Sequence, residues 1–258
     1  MIIKLIEISK KYFPNLDFYQ KAISYPYLAP SKPFSFVDGK CLEGIKIRID
    51  DRLPILSVGS NRSPFQLCNK FTLNENLCVV PAVLSNCDIV YSASISPYGS
   101  IPATQWPSKG TTVKLNVLWL DKKQLELMHL TEGIGIAYNF VELEKGSVLM
   151  KGINYSGPVY GYVSANGVYG FRNNVPNRLS YLKSINPTLK GMTEFKSLSF
   201  VKESLELNSL SIKDWIKKLI SDKPYRLEII KMMQNNSLKP KNPPWKIINV
   251  KAKGKNVY

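Results

Sequence analysis

Two segments of this chain read as a β-strand running straight into a capped helix, and that pairing commits the chain to a fold in which sheet and helix share a core. In the first, an apolar run from Leu53 to Val58 breaks at Gly59-Ser60-Asn61 and restarts with Ser63, Pro64 and Gln66. Ser63 stands where an N-cap belongs, Pro64 at the first helical position, and Gln66 where it would complete a capping box. Gly59 lacks the Cβ that would hold a ligand off the backbone, and a helix N-terminus behind it suits a carboxylate or a developing oxyanion. Neither full phosphate-loop fingerprint, GxxxxGK(S/T) or GxGxxG, occurs.

The second segment is the β-like run Thr111 to Leu120, followed by Asp121 as N-cap, Gln124 as its capping-box partner and Gly133 as the stop. Between the caps, Leu125, Met128 and Leu130 supply the apolar positions and leave Glu132 in the last turn. There the negative end of the helix dipole disfavours a carboxylate, by about 0.3–1 kcal/mol. An acid set against a local rule is a candidate general base and acid; the plain alternative is a solvated surface side chain. His129, the chain's only histidine, reads as a helix-surface residue and is too isolated to build a metal site or a catalytic triad.

Read together, these segments resemble the γ-glutamylcyclotransferase-like superfamily, also called the AIG2-like or BtrG-like group. That family carries an apolar strand into a Tyr-Gly-Ser-Asn loop, then a strand and helix ending in Leu-Asp-x-x-Glu-Gly, then a Tyr. Here the loop reads Val58-Gly59-Ser60-Asn61, the helix end Met128-His129-Leu130-Thr131-Glu132-Gly133, and Tyr138 follows. Ile101-Pro102-Ala103-Thr104 matches the strand beside the loop.

The resemblance implies an enzyme that cyclises a γ-glutamyl amide to 5-oxoproline, with Glu132 as the catalytic acid/base. Val58, Gly59, Ser60, Asn61, Ala103, Thr104 and Tyr138 would bind the substrate, and no metal or other cofactor is implied. The chain departs from the pattern at two positions, with Val58 where the family has Tyr and His129 where it has Asp. The fold implied is α+β, a small mixed β-sheet or barrel with flanking helices.

With 258 residues, 44% of them hydrophobic, the chain is long enough for one full core with extensions. We read residues 1–50 as an N-terminal extension packed on the core, with a strand-and-turn pattern at Phe34 to Lys40. Residues 51–185 form the core itself, including apolar runs at Leu77 to Val90 and Gly157 to Phe171 with a turn at Asn166-Gly167. Residues 186–258 form a C-terminal helical extension, with Ser211 capping one helix and Pro224 dividing it from the next. The Lys- and Pro-rich tail from Lys239 reads as extended and mobile.

Cys41, Cys68, Cys78 and Cys87 show neither metal-ligand spacing nor a signal sequence before them, so they read as reduced thiols in the cytoplasm. No stretch is long and apolar enough for a membrane span, so no membrane insertion is expected. A net charge of +16 suits nucleic acid or an anionic surface. The lysines are scattered, however, and no RNP-like motif, zinc finger or arginine patch accompanies them, although Trp245 among lysines could stack on a base. A small-molecule γ-glutamyl substrate therefore leads. A non-catalytic small-molecule or anion-binding protein of the same fold, and a basic nucleic-acid-associated protein, are the alternatives.

Overall fold

The computed structural model describes residues 7–72 and 74–250. The opening of the N-terminal extension through residue 6 and the tail beyond residue 250 lie outside the described residues. Asp17 and Gln20 form a reciprocal capping box that starts α1 (Phe18–Ile23). A hairpin follows, β1 (Phe34–Val37) and β2 (Lys40–Glu43), turned by Asp38 and Gly39 at φ of 49° and 74°. β1 then pairs antiparallel with the strand Leu77–Tyr91 (Phe34 opposite Val79), so this N-terminal hairpin joins the main sheet.

The first strand-to-helix segment forms β3 (Leu53–Ser57), a 3-10 turn at Ser60–Arg62, and α2 (Pro64–Lys70). The second lies at the end of a long hairpin, β4 (Leu77–Tyr91) and β5 (Ala103–Leu120), and continues into α3 (Lys122–Glu132). β6 (Tyr138–Leu143), β7 (Val148–Met150) and β8 (Tyr160–Ser164) complete the central strands. β3 pairs antiparallel with β5 on one side and parallel with β8 on the other, so β3 is interior and buries both faces, Ile55 into one apolar cluster and Leu56 into another. The architecture is α+β, with a mixed sheet whose pairings run as a path from the Gly191–Met192 strand to the Trp245–Ile247 strand; no pairing among the described residues closes it into a ring.

The β4–β5 ladder is sharply bent. Ser57 of β3 lies opposite Asn116, yet a Cβ placed on Gly59, two residues further on, would sit 3.7 Å from the Cβ of Ala103. A straight strand would separate residues 103 and 116 by about 43 Å. The bend falls at the register shift where Ser85 faces Thr112 but Cys87 faces Pro107. β5 thus makes an excursion over residues 108–111, held by Asn86 Oδ1, which accepts the Gly110 N–H at 3.0 Å, and by Gly110 itself at φ 79°.

The C-terminal helices are α4 (Glu194–Ser204), α5 (Ile212–Ser221) and α6 (Lys223–Gln234). Ser211 accepts the Asp214 N–H and Pro224 lies in the first turn of α6, as their sequence positions suggest. Leu198, Trp215, Ile216, Leu219 and Ile229 bury into the same cluster as β4 and β5. The tail departs from its sequence reading. Trp245–Ile247 is a strand paired antiparallel with β6, and Trp245 packs against the core cluster instead of standing free as a base-stacking side chain. Among the described residues no helix is long and apolar enough to cross a membrane.

Candidate active site

The two strand-to-helix segments meet at a cavity of about 210 Å³. One wall is the turn after β3, where Val58, Gly59, Ser60 and Asn61 all line the space. The opposite wall comes from α3 and β6, with Thr131, Glu132 and Tyr138. Ala103 lines it as well, at the start of β5. Thr104 does not: it lies on the other face of the strand from Ala103, its Oγ1 accepts the Ser164 N–H at 3.0 Å, and it borders a different hollow beside Trp245.

Asp121 and Gln124 make the capping box expected of α3, and Gly133 ends the helix in the left-handed region at φ 60°. The buried face of α3 is Gln124, Met128 and Glu132, spaced at four-residue steps, with His129 alongside. Glu132 is therefore not a solvated side chain; it is 8% exposed. Asn61 Nδ2 donates to its Oε1 at 2.9 Å, and Lys70 Nζ makes a direct ion pair with the same oxygen.

Lys70 was not legible from sequence motifs. It follows Gln66 by one helical turn of α2, and both side chains line the cavity. The available signal was the spacing from Leu67, whose full burial fixes which face of α2 turns inward. The expected Ser63–Gln66 capping box does not form. Ser63 occupies the N-cap position with Pro64 at N1, but its hydroxyl and Gln66 Oε1 are buried without partners, because the chain enters α2 from a 3-10 turn.

His129 also departs from its surface reading. It is 8% exposed, its Nδ1 shares a 2.8 Å hydrogen bond with the Tyr162 hydroxyl, and its ring packs edge-on against Phe140. Burial lowers its proton affinity. It acts on Tyr162, another residue of the cavity wall, rather than on Glu132.

The rest of the wall is a tyrosine cluster that sequence reasoning missed. Tyr25 Oη accepts the Ala103 N–H at 2.8 Å, and Tyr98 Oη shares a 3.3 Å hydrogen bond with Ser60 Oγ. A Cβ on Gly59 would overlap Tyr25 Oη, so the glycine is what lets that hydroxyl reach the strand. Tyr138 Oη donates to the Ala103 carbonyl at 3.3 Å, so Ala103 is gripped through both its backbone groups.

The chain is similar in structure to a gamma-glutamyl cyclotransferase. That likeness has 13% identity and a TM-score of 0.37, covering 76% of this chain and 94% of the other. A protein from Arabidopsis thaliana, known from a solution structure, aligns at 16% identity and a TM-score of 0.35 over 67% of this chain and 93% of its own. An uncharacterized protein from Homo sapiens aligns at 14% and 0.36 over 77% and 95%. At these values no residue role is carried across. No family model matches the sequence, and no curated protein matches it.

Glu194 braces the wall from behind. It opens α4 after the Thr193 cap and is 3% exposed. Its Oε1 accepts the Ile101 N–H at 2.6 Å, just before Pro102 and Ala103, and its Oε2 is buried without a partner. Burial pushes its carboxyl well above the usual carboxylate range, opposed by the Ile101 hydrogen bond. The folded state thus holds this proton after the unfolded chain has released it. The stability it contributes is fully present below about pH 4.3, the unfolded value, and is lost as pH rises through the folded value. Glu194→Gln keeps an acceptor for Ile101 and removes the ionisation. Unfolding free energy plotted against pH should therefore fall less steeply above about pH 4.3 in the variant. Parallel curves would show that Glu194 titrates alike in both states.

Proposed function

We propose that the cavity closes a γ-glutamyl amide into 5-oxoproline, releasing the amine, with Glu132 moving the proton. The observation that carries this reading is a buried carboxylate held through Oε1 by Asn61 and Lys70, at a cavity bounded by the Gly59–Asn61 turn. The Glu132 carboxylate takes a proton from the substrate's α-ammonium. The freed amine attacks the γ-carbonyl carbon, and the new C–N bond closes a five-membered ring while the carbonyl oxygen becomes an oxyanion. The protonated Glu132 then gives its proton to the departing nitrogen as the oxyanion collapses and the original amide C–N bond breaks, and the ring nitrogen passes its extra proton to the released amine, which leaves as an ammonium.

An intramolecular attack asks the protein for a positioned base, an oriented carbonyl and a shape that folds the substrate. Turn amides at Gly59 to Asn61 suit the oxyanion, and Ala103, Tyr138 and Val58 bound the space around the ring. Thr104 has no part in this scheme, because it lies outside the cavity. The four thiols are unpaired, and burial raises the proton affinity of each, to about 11 for Cys68 and Cys78.

The test is release of 5-oxoproline from a panel of γ-glutamyl amino acids, γ-glutamyl amines and glutathione by the purified chain. Release from at least one member, saturating with substrate, is the expected result. No release from any member would leave the cavity a binding site without this chemistry.

A further inference from the structure

Consecutive residues of one turn serve different cavities. Asn61 lines the candidate active site, whereas Arg62 lines a separate cleft of about 660 Å³ that shares no lining residue with the first. Arg62 Nε donates to Asn116 Oδ1 at 3.0 Å, while its Nη1 is buried with no partner. No carboxylate forms an ion pair with Arg62 among the described residues, and none lines the cleft. Burial lowers the guanidinium's proton affinity to about 10. A partly buried cation with no carboxylate beside it is costly where its Nη1 is out of water, and a planar guanidinium with a spare donor is the group best shaped to take a carboxylate or phosphate.

The surroundings extend the same charge. Lys114, Lys151 and Lys183, all exposed, stand on the rim of this cleft. Between them the lining is apolar. Leu28, Leu149 and Tyr181 border it while remaining 42%, 64% and 47% exposed. Three large apolar side chains left in water around one cleft, with a partly buried cation in its wall, match a ligand that carries both an apolar body and a negative head.

We propose that this cleft binds a small amphipathic anion, a carboxylate or phosphate group on an apolar body. Arg62 anchors the head, the three lysines attract it, and Leu28, Leu149 and Tyr181 cover the body. The inference does not depend on the chemistry at Glu132.

Isothermal titration of the full chain with octyl phosphate, octanoate, octanol and inorganic phosphate tests it. Saturable binding of octyl phosphate or octanoate at one site is expected, weakening as salt rises. Preference between these two identifies the head group. Affinity should fall by at least about tenfold in Arg62→Gln. It should also fall in the Lys114→Glu/Lys183→Glu double variant, whose exposed positions leave folding intact and which decides the matter should Arg62→Gln not fold. The proposal is overturned if neither anion binds, if octanol or inorganic phosphate alone binds as tightly, or if both variants bind as the wild type does. Displacement of octyl phosphate by a short oligonucleotide of equal or higher affinity would also overturn it, in favour of a nucleic-acid surface.

Discussion

Glu132→Gln should reduce the turnover of 5-oxoproline formation by about 10²–10⁴-fold, the usual weight of a positioned general acid/base. The substitution keeps the shape of the side chain and an oxygen for the Asn61 Nδ2 donor that now sits 2.9 Å away. It removes the ability to take a proton from the substrate's ammonium and return it to the leaving amine. The loss should fall on kcat and on kcat/KM together, because the interaction removed belongs to the transition state. Turnover comparable to that of the wild type would sink the assignment of Glu132 while leaving the cavity intact.

Lys70→Met should be the most destabilising single change at this site. Lys70 and Glu132 form an ion pair in which each side chain is only 10% exposed, so neither charge can fall back on water. Removing the cation alone leaves a buried carboxylate without its counter-charge, though still hydrogen-bonded by Asn61, and breaking such a pair costs about 3–5 kcal/mol. For a chain of this length that is a drop of about 10 °C in Tm. Adding Glu132→Gln to Lys70→Met removes the stranded charge, so the double variant should be more stable than Lys70→Met. Thermal unfolding of the four proteins gives the coupling directly. Additive losses would mean that the two groups do not stabilise one another.

These expectations rest on contacts of different legibility. The Asp121–Gln124 capping box and the Gly133 stop were readable because a cap is a local bargain between residues a few positions apart. So were the strand before Gly59 and the Asp38-Gly39 hairpin turn. Ser63 and Gln66 carry the same signature and fail to form it, since the 3-10 turn upstream presents the chain to α2 at another angle. The pairing of Lys70 with Glu132 joins positions 62 apart and exists because α2 and α3 pack together, which no spacing rule encodes. His129 was misread for a related reason. Helical periodicity gives a helix a face, but the strands Tyr138–Leu143 and Tyr160–Ser164 decide which face is covered. Tyr25 belongs to a segment far upstream that becomes part of the site only through its reach to Ala103.

The excursion of β5 at residues 108–111 acts as a lever arm whose fulcrum touches nothing in the cavity. From there the strand runs to Ala103, the residue gripped by Tyr25 and Tyr138, about 16–26 Å away along an extended chain. A change in the length or hand of that excursion would swing the far wall toward or away from the Gly59–Asn61 turn while preserving every residue that faces the cavity. The dimensions of the pocket are thus open to adjustment through a segment that lies outside it, and two chains identical at the cavity surface could hold ligands of different girth.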